Sequence, residues 1–276
     1  MTQESIVLAP GVSKHFLSLK PPGIDDQLPD WERVTSALPI KRLPFNRAVA
    51  SKLPAQLRQA NFKVTAVLAN KELVAVEAGD TRDRLFGLAV DIGTTTIVTY
   101  LIDLNKGSVV GNAAVTNPQS VFGADVISRI THAATGPKGL NQLQDKVISG
   151  LNSLITELCE EYKVSRDEIY EATVVGNTTM SHLFLGIEVD DIDRVLLARA
   201  FGNFIKKESA LGIGLLPKLP LERISAIGNG AGEGCKMALL SVVERKRASD
   251  IALRAEQIEL SEIEEFQNLF VKSLGF

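Results

Sequence analysis

Residues Leu85–Asp103 read LFGLAVDIGTTTIVTYLID. An apolar run ends in Asp91, passes through Ile92-Gly93-Thr94-Thr95-Thr96 and re-enters an apolar run. Two strands joined by a tight turn rich in glycine and hydroxyls predict a hairpin. The chemistry sits in the turn. Gly93 has no Cβ, so the backbone there can approach a ligand closely. Successive backbone N–H groups, with the hydroxyls of Thr94, Thr95 and Thr96, can cradle phosphate oxygens. Asp91, at the strand end, is placed to hold Mg²⁺ through water, because Mg²⁺ keeps several of its waters. Threonine also favours strands, so an ordinary hairpin would carry the same residues. The pointer to phosphate is the order of strand, Asp, Gly and hydroxyl run.

Downstream, strands are expected at about 86–91, 96–102 and 108–116, with Asn105-Lys106-Gly107 as the second turn. Asn117-Pro118-Gln119 ends the third strand. Gly123-Ala124-Asp125 opens a helix to about Ala134, and Gly136-Pro137-Lys138-Gly139 breaks it. From Leu140 to Tyr162, Leu140, Leu143, Val147, Leu151, Leu154 and Leu158 fall at three- and four-residue steps, an amphipathic stripe that core packing explains. Ala172–Val175 reads as a short buried strand. A helix follows from Met180 to Leu185, with Asn177 or Thr178 as its N-cap. Further on, Ile192–Ala198 reads as a strand, and Gly228-Asn229-Gly230-Ala231-Gly232 as a glycine-rich turn before a helix to about Val243. Gln257–Leu260 and Ile263–Leu274 read as a last strand and a closing helix.

Upstream, residues 1–47 are proline-rich and read as a linker-like segment, with a strand at Ser13–Leu19 and a short helix near Trp31. Residues 48–84 read as a small middle domain. In it, a helix at 48–60 precedes a hairpin of Phe62–Leu68 and Glu72–Glu77 around Asn70-Lys71.

The chain has 276 residues, 45% hydrophobic and 23% charged, the composition of an ordinary soluble globular protein. A net charge of −3 makes no electrostatic case for nucleic acid or an anionic membrane. The N-terminus lacks a signal-peptide pattern and no apolar stretch reaches a membrane span, so a cytoplasmic protein is expected. The two cysteines, Cys159 and Cys235, are far apart in sequence and belong to no Cys-x-x-Cys pair. Two thiols cannot ligate a Cys₄ iron–sulfur cluster, so no cluster is expected in these residues. His15, His132 and His182 show no metal-ligand spacing.

Three strands, helices, a fourth strand and a capping helix resemble half of the actin-like, ribonuclease H-like ATPase fold shared by sugar kinases, actin and the large heat-shock chaperones. The resemblance narrows with GLAVDIGTTTIVTYLIDL, NPQSVFGADVISRI, VVGNTTMSHLFLGI, DIDRVLLARAFGNFI and AIGNGAGEGCKMALL. Together these are similar to the reductive activators of corrinoid proteins. In that family an actin-like ATPase domain follows a linker and a small middle domain, and an N-terminal ferredoxin-like domain carries the iron–sulfur cluster. ATP drives reduction of an inactive Co(II) corrinoid to Co(I).

That resemblance implies an α/β fold with a first ATPase subdomain at 85–187 and a remnant of the second, with C-terminal helices, at 188–276. Only Glu188-Val189-Asp190-Asp191 separate Ile187 from Ile192, where the family has a long segment. Four residues span at most roughly 14 Å. The expected domain is therefore incomplete, without its second phosphate loop and without the ferredoxin-like domain. MgATP is the implied cofactor, bound by Gly93, Thr94, Thr95 and Thr96 with Asp91 toward Mg²⁺. Phe201, Gly202 and Asn203 are implied on the adenosine side, and Asp125, Asn177, Gly230 and Gly232 as the site wall. No catalytic base is named. The implied function is ATP-dependent activation of a corrinoid protein, impaired or lost here. The alternatives are a non-catalytic partner-binding remnant and a small-molecule kinase. An incompletely covered sheet would favour self-association.

Overall fold

Two β-sheets organise the described residues, and a single strand in the larger one carries the GTTT turn. The structure, a computed structural model, describes residues 7–40, 42–186 and 230–254. The predicted strands at 192–198 and 257–260, the closing helix at 263–274, and Phe201, Gly202 and Asn203 lie outside the described residues.

The first unit contains β1 (Val12–Ser18), α1 (Asp30–Ser36), α2 (Arg47–Ala50), α3 (Leu53–Gln59), β2 (Lys63–Ala69) and β3 (Glu72–Ala78). The strands form an antiparallel sheet in the order β1-β2-β3. β1 lies within the segment read as linker, yet it pairs with β2 along its whole length, from Val12 opposite Ala69 to Ser18 opposite Lys63. The β2–β3 hairpin turns at Asn70 and Lys71, which both take positive φ (49° and 68°), the twist that two-residue hairpins favour. The single helix expected at 48–60 is two helices. Pro54 stands in the first turn of α3, where its ring and missing N–H oppose continuation from α2. Leu53, Leu57, Val34, Val49 and Leu73 close the core of this unit. Trp31, only partly buried, packs edge-on against Phe45.

The second unit continues with β4 (Phe86–Ile92), β5 (Thr96–Asp103), β6 (Ser108–Thr116), α4 (Val126–Ala133), α5 (Pro137–Tyr162), β7 (Ile169–Gly176), α6 (Thr178–Leu185), α7 (Gly230–Leu240) and α8 (Val242–Arg254). The sheet order is β6-β5-β4-β7, with β4–β5 and β5–β6 antiparallel and β4–β7 parallel. Side chains alternate along β4. Phe86, Leu88, Val90 and Ile92 join the buried stripe of α5, from Leu140 to Leu158, in one core. Ala89 faces the other way, with Ile102, Leu104 and the α7 residues Cys235, Leu239 and Leu240. β7 was expected to be buried; it is longer and only partly covered, because it is the last strand of this sheet among the described residues. The expected helix to Val243 breaks at Ser241. There the chain near its start intervenes: Ala9 N–H donates to the Leu240 carbonyl and Val242 N–H to the Ala9 carbonyl, each at 2.9 Å.

Polar contacts join the two units. Lys14 of β1, its side chain almost fully buried, donates to Glu77 Oε2 and to the Arg84 carbonyl, both at 2.7 Å. Tyr170 of β7 and Thr81 also donate to Glu77. Arg84 holds Glu168 through both oxygens, with Nη2 at 2.6 Å from Oε2. No helix among the described residues is long and apolar enough to cross a membrane.

The Arg84 guanidinium holds the Glu168 carboxyl below the usual glutamate range, helped by the Ser165 N–H. A carboxyl whose pKa is lower folded than unfolded stabilises above the unfolded value, about 4.3, and that contribution is lost as pH falls through the folded value. Glu168→Gln should therefore lower the urea midpoint at pH 7, and the gap from the native chain should close as the pH falls through the folded value of Glu168.

Candidate phosphate-binding turn

The β4–β5 ladder ends at the pair Ile92–Ile97. Gly93 N–H then donates to the Thr96 carbonyl at 2.9 Å, and a Cβ on Gly93 would lie 2.7 Å from that same oxygen. The glycine is thus required first by the turn's own closure. None of residues 93–96 has a positive φ, so this is not the primed turn that two-residue hairpins prefer. Its shape is imposed from behind.

The clamp has three buried members. Asn117 Nδ2 donates to the Gly93 carbonyl at 2.8 Å, and Asn117 N–H to the Thr95 carbonyl at 2.7 Å. Arg129 Nη2 donates to the Thr94 carbonyl at 2.7 Å. Gln119 accepts from Arg129 Nη1 through Oε1 at 3.3 Å and donates through Nε2 to the Leu143 carbonyl at 3.0 Å, tying the clamp to α5. Asn117, Gln119 and Arg129 are all completely buried. In a trans peptide the N–H of one residue points opposite to the carbonyl of the residue before. With the Gly93 and Thr94 carbonyls held down on the clamp, the Thr94 and Thr95 N–H groups point away from it. Neither finds a backbone acceptor among the described residues. Thr95 and Thr96 are exposed beside them and Thr94 half-exposed. Outward amides and hydroxyls are groups that can donate to an anion.

Asn177 acts twice. Its Oδ1 accepts from Met180 N–H at 2.9 Å as the N-cap of α6, and its Nδ2 donates to Thr94 Oγ1 at 3.2 Å. Asp125 is the N-cap of α4, its carboxylate taken by the Ser128 N–H and hydroxyl, both at 2.9 Å, which holds its pKa low. Its link to the turn is indirect, through Arg129 on the helix it caps. Asp91 is partly buried and alternates onto the β4 face that α7 covers. Gly230 and Gly232 begin α7 on that face. Cys235 of α7 donates to the Thr173 carbonyl at 3.0 Å, and burial, with the Asp91 charge, pushes its thiol up to about 11. Cys159, on α5, is likewise raised by burial. His132 stacks on Phe122 with ring centroids 4.5 Å apart.

The sequence reading missed Asn117, Gln119 and Arg129 as site residues. A signal was available: Arg129 shares a helix face with Val126 and Ala133, both buried. A charged residue on an apolar face asks for a partner.

Sheet, turn and clamp define a mixed α/β protein that presents backbone amides at the end of its central strand. Residues 86–227 match a family model described as the RACo middle region, and residues 1–83 one described as the RACo linker region. The chain belongs to the RACo family. The corrinoid activation enzyme RamQ of Eubacterium limosum is 35% identical over 119 residues, which are 43% of this chain and 20% of RamQ. A solved structure described as a reductive activator for a corrinoid, iron–sulfur protein is 37% identical with a TM-score of 0.61, covering 72% of this chain and 33% of that one. The chain thus spans a third or less of the length of these relatives.

Replacing Asn117 tests the clamp. Asn117→Ala leaves the buried Gln119 N–H without its partner, at a cost of about 1–3 kcal/mol, and removes the bond to the part-buried Gly93 carbonyl as well. Asn117→Asp keeps the acceptor for Gln119 but sets a carboxylate oxygen against the Gly93 carbonyl. Chemical unfolding should therefore find both variants destabilised, Asp no less than Ala.

Proposed function

We propose that this chain carries the first phosphate-binding half of an actin-like ATPase domain, in the setting of ATP-dependent reductive activation of a corrinoid protein. The observation that carries the reading is the turn: two amides directed outward over a buried guanidinium, flanked by threonine hydroxyls, at the end of a strand whose last two residues are Asp91 and Ile92. The donor set suits phosphate oxygens, and a partly buried carboxylate two residues before Gly93 suits a hydrated divalent cation. Family membership and the two activator relatives support the corrinoid setting.

In this reading Gly93, Thr94, Thr95 and Thr96 bind phosphate, Asp91 orients Mg²⁺ through water, and Asn177 fixes the Thr94 hydroxyl from α6. Gly230 and Gly232 bring the start of α7 toward the Asp91 face. Bound MgATP would supply the free energy that offsets an unfavourable electron transfer to the corrinoid, Co(II) to Co(I). The protein's part in such phosphoryl chemistry is positioning and electrostatics rather than a covalent nucleophile.

The short link at Glu188–Asp191 leads us to propose weak binding. Each charge-assisted hydrogen bond from an opposing loop contributes about 1.5–3 kcal/mol, so losing two weakens ATP by roughly two to four decades. Calorimetry should give a MgATP affinity in the millimolar range or weaker, abolished by Asp91→Ala. Micromolar binding would overturn the missing second half. No binding at all would favour a partner-binding remnant over an ATPase, and phosphate transfer to a sugar or acid would favour the kinase.

The two cysteines generate a separate expectation. After anaerobic iron–sulfur reconstitution these 276 residues should stay colourless. A stoichiometric visible charge-transfer band would overturn it.

A further inference from the structure

Among the described residues, Arg129 departs from the way the buried cations Arg33 and Lys14 are neutralised. Arg33, nearly fully buried, is neutralised by Asp26 through Nη1 at 2.8 Å and Nη2 at 2.9 Å. Lys14 is neutralised by Glu77. Arg129 is completely buried, and no carboxylate among the described residues lies within ion-pair distance of it. Its partners are all neutral: the Thr94 carbonyl, the Gly123 carbonyl at 2.9 Å from Nε, Gln119 Oε1 and Met180 Sδ. Asp125, one turn earlier on the same helix, gives its hydrogen bonds to Ser128; its charge acts on Arg129 across a gap, without an ion pair, and burial still outweighs it. A buried charge without a counter-charge is costly, and nearby dipoles offset only part of that cost. Gly123 preserves the arrangement: a Cβ there would come within 2.8 Å of Arg129 N, so the carbonyl that receives Nε can sit this close only without a side chain.

We propose that Arg129 is a positioning residue of the phosphate turn, which holds the Thr94 carbonyl inward so that the Thr95 N–H faces out, and whose missing counter-charge is the oligophosphate bound on the other side of that peptide. The inference rests on the phosphate-binding reading above. The peptide linking Thr94 to Thr95 lies between the guanidinium and the anion. A cation on its carbonyl polarises it, and the N–H at its opposite end becomes a stronger donor. The arrangement favours anions of high charge over neutral nucleosides, because the cation acts through a dry, low-dielectric layer.

Sodium tripolyphosphate is the probe, since it engages the turn without an adenosine site. In a ¹⁵N-resolved titration of the full chain, the Thr94 and Thr95 amides and the Arg129 Nε–H should shift with one dissociation constant. Arg129→Gln should weaken tripolyphosphate by about 10–100-fold, because the Thr95 N–H loses the charge that polarises its peptide and the carbonyl contact that aims it. It should also move the Thr94 and Thr95 amide signals and speed their exchange before any ligand is added. Arg129→Lys, which keeps the charge but loses the fork, should fall between. Equal binding by Arg129→Gln, or Thr94 and Thr95 responding while Nε–H does not, overturns the proposal. Should Arg129→Gln fail to fold, the Nε–H response of the native chain decides it. A native chain that ignores tripolyphosphate overturns the phosphate reading and the counter-charge with it. The ligand-free exchange rates then still judge positioning, and unchanged rates in Arg129→Gln overturn that as well.

Discussion

Strand β4 must bury both of its faces, and most of the architecture follows from that requirement. One face carries Phe86, Leu88, Val90 and Ile92 and is served by α5, a helix whose apolar stripe is continuous over five turns. The other carries Gly87, Ala89 and Asp91, a face of small residues. A Cβ on Gly87 would lie 3.1 Å from Leu104, so this side has been packed to the backbone. The cover here is α7, recruited from far along the chain, with Cys235 bonded across to the neighbouring strand β7. Parallel pairing of β4 with β7 belongs to the same logic, since a parallel neighbour needs a long crossover and α5 lies within it.

The turn at the end of β4 has a different physical origin from the sheet that presents it. The sheet is held by apolar burial. The turn is held by three polar side chains with no exposure at all, Asn117, Gln119 and Arg129. Such groups stabilise only when every donor and acceptor is met, and a half-satisfied network is worse than none. Here the carbonyls of the turn are themselves the partners, so clamp and turn are conditional on one another.

How much of this could be read in the sequence varies with the range of the interactions. The strands β4, β5 and β6 fell within a residue or so of expectation, because alternation and turn residues are local signals. The Asn70-Lys71 turn was legible for the same reason. The break between α2 and α3 was also local, at Pro54, and a 3.6-residue reading of Ala48, Leu53 and Leu57 passed over it. β7 was misjudged as buried because four apolar-leaning residues look alike in a central and an end strand. The clamp was beyond local reading. Arg129 reaches a carbonyl 35 residues earlier and Asn117 one 24 residues earlier, and in sequence each resembles a solvated polar residue near a helix or strand end. Among the proposed site residues, Asn177 was legible as a cap, and its second bond to Thr94 was not.

The contact at Ala9 gives the molecule a mechanical path. Ala9 is stitched between the end of α7 and the start of α8 by two backbone hydrogen bonds, and three residues later the chain enters β1. α7 has eleven residues, a rod of about 16 Å. One end of that rod is tied to the start of the small sheet, and the other begins at Gly230 on the Asp91 face. Tension on the chain ahead of β1 therefore has a stiff lever through which to act on the Asp91 side of the turn. Compression of the turn has the same lever in reverse.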